Sequence, residues 1–149
     1  MKTNRRRIIQ KIFIKTNLLY KEKGLLKFSI YSPLIKEDSY YTLFPKGLDL
    51  FIYENNKNKY TYIHANWVKS RNKIFYHIKG NIRIINDQGY LLKTKEIFWN
   101  RKQKKIFNDK YTMIYNPKNG TKLYAINGIE ASENFRSIKL KNISGTLSI

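Results

Sequence analysis

The sequence contains no cysteine among its 149 residues and only seven glycines. Without thiols, a disulfide framework, a zinc site built on thiolates and a cysteine nucleophile are all excluded. The glycines are isolated from one another, so there is no glycine-rich loop of the kind that cradles a phosphate. We therefore expect no cofactor and no metal.

Long apolar runs are also lacking. A membrane-spanning helix needs roughly 20 consecutive apolar residues, and the most apolar stretch near the N-terminus, residues 8–15, is short and interrupted by lysine. Three arginines at 5–7 resemble the charged start of an export signal, but no apolar segment follows them. We expect neither a signal nor a membrane anchor in the chain as written. Residues 1–11 are interpreted as a basic N-terminal segment, the remnant of an anchor or a truncated one.

Acidic residues are few, since 10 Asp and Glu stand against 30 Lys and Arg, for a net charge of +20. This excess favours an anionic partner. Ile, Lys, Asn and Tyr make up 72 of the residues, whereas alanine occurs three times. All four have A/T-rich codons, so part of the charge reflects composition. A hydrophobic fraction of 42% excludes a disordered basic tail, and the length favours one domain with a real core.

The dominant sequence period is two. Between residues 74 and 85 the even positions are almost wholly apolar and the odd positions mostly polar, as a half-buried strand requires. Turn signals rich in Asn, Gly, Lys and Pro recur at short intervals between runs of strand-forming residues. Only Met1–Lys15 is a candidate for a helix, with disorder as the alternative. The pattern predicts about a dozen antiparallel strands in an all-β jelly roll, sandwich or barrel.

The apolar parity can be followed through most of the predicted strands. The step from Leu92 to Ile97 is odd-numbered, which predicts a bulge or a register break near Lys95. The residues predicted to face inward outside 74–85 are Leu48, Leu50, Ile52, Ile63, Ala65, Trp67, Leu92, Ile97, Trp99, Thr112, Ile114, Tyr124, Ile126, Ile138 and Leu140.

The histidines and carboxylates give little support for catalysis. His64 and His77 occupy the polar parity of their strands, which predicts surface side chains rather than a general base or a metal ligand. The ten acidic residues are scattered, with no pair at the spacing of a catalytic dyad. We predict that the protein is not an enzyme.

The densest basic cluster, residues 101–105, is interpreted as a solvated hairpin tip, or alternatively as a contact for phosphate groups of lipid or nucleic acid. Binding of single-stranded nucleic acid needs aromatic rings exposed beside lysines, whereas Trp67, Tyr76 and Trp99 share the apolar parity. The apolar face itself suits either an ordinary core or an open trough for acyl chains.

Several segments, taken together in their order and spacing, resemble the LptC family of lipopolysaccharide export proteins, in the version found in the Bacteroidetes-type lineage. The similarity runs from about Lys15 to Ile149. The segments that carry it are Phe44–Leu48, Ile63–Ala65, Gly80–Ile84, Leu92–Thr94, Ile97–Asn100, Ile106–Lys110, Gly128–Ala131, Phe135 and Ile143–Leu147.

The resemblance implies an antiparallel β-jelly roll at residues 12–149, a V-shaped folded sheet of the LptA, LptC and OstA-like type. It implies a periplasmic location associated with the inner membrane. There the protein would take lipopolysaccharide, bound through its lipid A, from the transporter formed by LptB, LptF and LptG at the N-terminal edge. It would pass the lipid to an LptA-like protein at the C-terminal edge, near residues 140–149. No nucleic acid is expected as a partner.

The resemblance also implies which residues form the site. Two glycines, Gly80 and Gly128, match positions at which the backbone bends or approaches another segment closely. The residues implied to line the lipid trough are Ile82, Ile84, Leu92, Ile97, Trp99, Ile114, Tyr124 and Ile126. Two alternatives stay open: a soluble LptA-like bridge jelly roll, and a basic nucleic-acid-binding β-barrel, whose affinity should fall steeply with salt.

Overall fold

The computed structural model describes residues 10–55 and 58–146, and the described chain is built from strands and turns without a helix. The prediction of an all-β antiparallel fold is therefore confirmed. The strands are β1 Lys11–Glu22, β2 Leu25–Glu37, β3 Tyr41–Phe44, β4 Leu48–Tyr53, β5 Tyr60–Ala65, β6 Trp67–Arg71, β7 Phe75–Ile85, β8 Leu91–Asn100, β9 Lys105–Phe107, β10 Thr112–Asn116, β11 Thr121–Ala125, β12 Ile129–Ser132, β13 Ile138–Leu140 and β14 Ile143–Thr146.

The long strands each pair with two shorter ones along a single edge. One edge of β7 pairs with β6 at its first half and with β5 at its second half. Likewise β2 pairs with β4 and then β3, and β8 pairs with β10 and then β9. The sheet thus divides into two half-sheets. The first contains β4, β5, β10, β11 and β14, the second contains β3, β6, β9, β12 and β13, and β1, β2, β7 and β8 run through both.

The chain bends where one half-sheet passes into the other. In β7 the bend is a bulge: Gly80 and Asn81, with φ angles of 85° and 46°, stand opposite the single residue Lys95 of β8. The register break predicted near Lys95 is therefore confirmed, with the extra residue on the neighbouring strand. The backbone N–H of Asn66, between β5 and β6, donates to the carbonyl of Gly80 at 2.9 Å, which joins two adjacent bends.

Gly128 lies at the same transition between β11 and β12. Its φ is +100°, and a Cβ atom placed on it would lie 2.3 Å from the carbonyl oxygen of Asn108. Only glycine allows the two backbones to approach this closely.

The buried side chain of Asn108 connects the strands at this bend. Its Nδ2 lies 2.9 Å from the carbonyl oxygen of Glu96 and 3.0 Å from each of the hydroxyl oxygens of Thr94 and Thr112, so these three acceptors share its two hydrogens. Its Oδ1 accepts the backbone N–H of Ile129 at 2.9 Å. Polar groups of β8, β10 and β12 are therefore paired at one amide side chain, as burial of polar groups requires.

The inner faces of the two half-sheets pack against each other. Phe28 of the first half-sheet contacts Trp99 and Tyr76 of the second, with ring centroids 5.5 Å and 6.5 Å apart. Except for Gly80 at the bulge, which is partly buried, the even positions of β7 are buried and its odd positions are exposed or partly buried, which confirms the predicted alternation. One contiguous apolar core fills the space between the half-sheets.

The inward orientation predicted for Trp67 is wrong. Ala65 is fully buried, but the bend at Asn66 shifts the parity, so that Val68 is the next buried residue. Trp67 lies instead on the outer face, with its ring 5.6 Å from that of His77.

The inward orientations predicted for Tyr124 and Ile126 are also wrong. In β11 Ala125 stands opposite the buried Thr112, so Tyr124 lies on the opposite side of the sheet. Ile126 follows the end of β11 in a turn and is 45% exposed. The even parity of β7 does not extend to β11 because the intervening bends and turns shift it.

The expectation of a helix or disorder over Met1–Lys15 is wrong for Lys11–Lys15, which form the start of β1. This strand pairs with β2 from Lys11 opposite Glu37 to Glu22 opposite Leu25. Pairing with a neighbouring strand outweighs the weak local signal. Residues 1–9, which make up most of the predicted N-terminal segment, lie outside the described residues.

Candidate functional site

The interior of the folded sheet is centred on an aromatic cluster. The ring of Phe28 stacks on Tyr20 of β1 at 4.8 Å and meets Trp99 edge to face. The rings of Tyr76 and Trp99 are 4.6 Å apart. These rings come from both half-sheets and from the edge strand β1. The cluster therefore lies where the two half-sheets and β1 meet.

An apolar cavity of about 180 Å³ lies on one side of this cluster, under β1. The side chains that line it include Phe13, Leu18, Tyr20, Ile35, Phe44 and Tyr76. The strand β1 forms one wall, and the residues of β1 that point inward are only partly buried. Because most of its lining is apolar, the cavity suits apolar ligand groups.

A larger, open cavity of about 540 Å³ adjoins the other side of the cluster, with Phe28, Ile52 and Trp99 in its wall. We call it the cationic cavity, because its rim carries the side chains of Lys27, Lys59, Arg101 and Lys104 together with those of Glu22, Glu54 and Glu133.

The carboxylates on this rim are partly neutralised. Arg136 donates to Glu54 at 3.1 Å from outside the rim. The guanidinium of Arg101 lies 4.1 Å from the ring centroid of Tyr20 and 4.9 Å from that of Phe28, so this charge is held over the aromatic cluster. An apolar interior and a positive rim thus meet at Phe28.

Glu133 joins the rim to the core. The indole Nε1 of Trp99 donates to its Oε2 at 2.7 Å. Burial raises the pKa of the Glu133 carboxyl, and the hydrogen bond from Trp99 and the charges of Lys104 and Arg101 oppose that rise. Ionisation of Glu133 is therefore less favourable in the folded protein than in the unfolded chain.

We predict that Glu133→Gln makes the protein more stable at pH 7 and leaves its stability at pH 3 nearly unchanged. A carboxyl whose folded pKa is raised contributes most stability below its unfolded pKa and loses that contribution as the pH rises through the folded pKa. The amide keeps an oxygen to accept the Trp99 N–H and removes the titration. Urea unfolding of both proteins from pH 3 to pH 8 measures the difference.

The matched control is Glu22→Gln, which removes an exposed carboxylate from the same rim. It should leave the pH dependence of the free energy of unfolding close to that of the wild type. A Glu133→Gln curve parallel to the wild-type curve over this range would contradict the argument.

The residues predicted to line a trough divide among several environments. Trp99 reaches the wall of the cationic cavity. Five others are buried in the core, namely Ile82, Ile84, Leu92, Ile97 and Ile114. Tyr124 and Ile126 are not in the interior. Gly80 and Gly128 lie at bends between the half-sheets and both have positive φ angles.

Sequence reasoning missed the residues at the centre of the site, Tyr20 and Phe28. The signal was present, because Phe28, Ile30 and Ser32 alternate with partly buried or exposed neighbours along β2. The apolar series predicted from the sequence begins at Leu48, so it does not include the hairpin of β1 and β2. The cations at the rim come from three separate places, namely the start of β2 (Lys27), the β4–β5 loop (Lys59) and the β8–β9 turn (Arg101 and Lys104). The basic cluster at 101–105 was visible in the sequence, but no local pattern connects it with Lys27 or Lys59.

The two histidines lie on the outer face, as predicted, but each contacts a carboxylate. His64 Nδ1 lies 2.9 Å from Asp49 Oδ1, and His77 Nε2 lies 2.6 Å from Glu96 Oε2. Tyr62 donates to the same Asp49 oxygen at 2.6 Å, and burial together with this carboxylate raises the pKa of Tyr62 to about 12. Within the described residues, no group of three or more His, Asp or Glu side chains is placed to hold a metal ion.

The fold and the site define an all-β protein with an apolar interior that opens beside a positively charged rim. Neither the models of known protein families nor the curated proteins yield a match to the chain. Across residues 10–55 and 58–146, no helix is long and apolar enough to cross a membrane.

Proposed function

We propose that the protein binds lipopolysaccharide as a periplasmic component of the lipopolysaccharide export machinery, of the LptC type. The observation that carries the proposal is the junction at Phe28, where the apolar interior meets the cationic cavity. Lipid A combines acyl chains, which need burial away from water, with phosphates, which need cations. The apolar cavity under β1 on one side of Phe28 suits acyl chains, and the cationic cavity on the other side suits phosphates.

The rim suits phosphate groups in particular. Arg101 presents a planar guanidinium, which can donate to two phosphate oxygens at once, and Lys27, Lys59 and Lys104 offer point charges around it. Arg101 is also held in place by a hydrogen bond of 2.6 Å from its Nη1 to the carbonyl of Lys73. A donor that is already oriented loses less conformational entropy on binding.

The ends of the sheet support a role between two partners. Among the described strands, β1 pairs only with β2, β13 only with β12, and β14 only with β11, so each has an edge free for another strand. Proteins usually protect such edges, and addition of a partner strand uses them. We propose that the transporter formed by LptB, LptF and LptG contacts the β1 edge and that an LptA-like protein contacts the β13–β14 end.

The resemblance of segments such as Gly80–Ile84 and Gly128–Ala131 to the LptC family supports the same assignment. The protein would act without catalysis and would associate with the inner membrane. A soluble LptA-like bridge unit is the alternative. Purification from a membrane extract separates the two, because an LptC-type protein should be recovered with the membrane subunits of the transporter and a bridge unit without them.

We predict that a photo-crosslinking amino acid at Phe28 or Ile52 captures lipopolysaccharide. Both side chains line the cationic cavity beside the aromatic cluster, whereas Ile84 is fully buried in the closed core and reports poorly on a cavity. The measurement is a lipopolysaccharide-dependent shift detected on a denaturing gel.

The control positions are Lys102 in the β8–β9 turn and Ile85 on the outer face, which are both exposed. Capture from Lys102 or Ile85 alone, with none from Phe28 or Ile52, would contradict binding in the interior.

A further inference from the structure

The outer face of the second half-sheet carries a continuous row of aromatic rings. Trp67 and His77 are 5.6 Å apart, His77 and Phe98 stack at 4.7 Å, and Phe98 and Phe107 stack at 5.7 Å. The row crosses β6, β7, β8 and β9 on the side away from the core. Together with the exposed rings of Tyr41 and Phe75, we call it the aromatic platform.

Cationic side chains lie directly on the rings of this platform. Lys79 Nζ is 4.5 Å from the ring centroid of Trp67, and Lys69 Nζ is 4.3 Å from that of Tyr41. The guanidinium of Arg71 is 5.1 Å from the centroid of Phe75. These contacts hold three positive charges at the level of the rings.

The outer face of the second half-sheet carries further positive charge besides these three cations. Strand register places six cationic residues on it, against the two carboxylates of Glu96 and Glu130. Glu96 is held by His77 at 2.6 Å and Glu130 by Lys105 at 3.4 Å. The six cations are Lys36, Lys69, Arg71, Lys79, Lys105 and Lys139.

The orientation of the rings indicates what such a face can bind. The planes of His77 and Phe98 are within 15° of each other and those of Phe98 and Phe107 within 26°, so each of these contacts covers one face of both rings. A nucleobase needs a free ring face on which to stack. Ring edges beside lysine and arginine suit the headgroup layer of an anionic bilayer, where aromatic side chains concentrate and cations meet lipid phosphates.

We propose that the aromatic platform docks on the surface of an anionic lipid membrane. Phe75 and Phe107, which are 40% and 38% exposed, would enter the headgroup layer, and the flanking cations would meet lipid phosphates. This inference is independent of the interior site. The platform reaches Asn100, which is next in sequence to Arg101 of the cationic cavity.

Co-sedimentation with vesicles tests the proposal. The probes are vesicles of 70% phosphatidylcholine and 30% phosphatidylglycerol, vesicles of pure phosphatidylcholine, and a single-stranded thymidine 30-mer. The wild type should bind the anionic vesicles and lose binding as salt rises. The triple variant K69Q/R71Q/K79Q should bind them on the order of a hundredfold more weakly, since each basic residue near such a surface contributes about fivefold.

The matched control is R83Q/K93Q/K122Q, which removes the same charge from exposed positions on the first half-sheet. Its affinity should stay within about threefold of the wild type, because charges away from the docked face contribute little beyond a Debye length. A second pair compares F75S/F107S with I85S, which removes an exposed apolar residue from the first half-sheet. Only F75S/F107S should weaken vesicle binding.

Equal losses of affinity for anionic vesicles in the two triple variants would overturn the proposal, since vesicle binding would then be a non-specific electrostatic attraction. So would tighter binding to the thymidine 30-mer than to anionic vesicles, with the same dependence on Lys69, Arg71 and Lys79. Because the vesicles contain no lipopolysaccharide and K69Q/R71Q/K79Q leaves the rim of the cationic cavity intact, the loss of vesicle binding in that variant reports on the platform. Failure of capture at Phe28 and Ile52 reports on the proposed function alone.

Discussion

Gly128→Ala is expected to destabilise the protein by roughly 3 to 5 kcal/mol, combining the strain of a non-glycine residue at positive φ with overpacking. The new Cβ would lie 2.3 Å from the carbonyl oxygen of Asn108 and 2.7 Å from its side-chain oxygen. Neither atom can retreat easily, because Asn108 is tied to three strands through its side chain. Urea unfolding measures the change in the free energy of unfolding.

Gly120→Ala is the matched control for this substitution. Gly120 also has a positive φ of 73°, but a Cβ there meets nothing within 4 Å. Its substitution should cost only about 1 kcal/mol, the penalty of the left-handed backbone conformation alone. Equal costs at the two glycines would show that close approach at Gly128 plays no part.

Trp99→Ala is expected to cost about 3 to 5 kcal/mol, the range found when a large aromatic side chain is removed from a core. Trp99 is 1% exposed and contacts both Phe28 and Tyr76. Its removal also leaves the carboxylate of Glu133 without the indole donor. Because the ring forms part of the wall of the cationic cavity, the variant should also bind lipopolysaccharide more weakly.

The other tryptophan provides the control. Trp67→Ala removes a ring of the same size from the outer face, where it contacts His77 and Lys79. A partly exposed ring buries less apolar surface, so Trp67→Ala should lower the free energy of unfolding much less than Trp99→Ala does. Comparable losses at both positions would contradict the assignment of Trp99 to the centre of the interior.

Much of the fold could be predicted because strand alternation is a local signal. The even positions of β7 other than Gly80 are buried in the structure, and the odd step between Leu92 and Ile97 correctly indicated a register break beside Lys95. Both inferences needed only neighbouring residues. Parity failed at Trp67, Tyr124 and Ile126, because each follows a bend or a strand end.

The candidate site could be predicted much less completely. Trp99 was identified as inward-facing, but Phe28 was missed, and the rim of Lys27, Lys59 and Arg101 is assembled from distant parts of the chain. The carboxylate partners of His64 and His77 lie 15 and 19 residues away in sequence, so only strand register brings them together. The rings of the aromatic platform belong to five different strands, and their sequence spacing gives no sign of their stacking.

The sequence by itself determined the fold class, the absence of thiol chemistry, the excess of positive charge and the inward face of strands such as β7. These properties depend on composition or on residues two positions apart. Only the tertiary structure decided where the sheet bends, which cations surround Phe28 and which aromatic rings share the outer face. Those arrangements depend on pairing between distant strands, and a single bulge such as that at Gly80 and Asn81 changes which side chains meet.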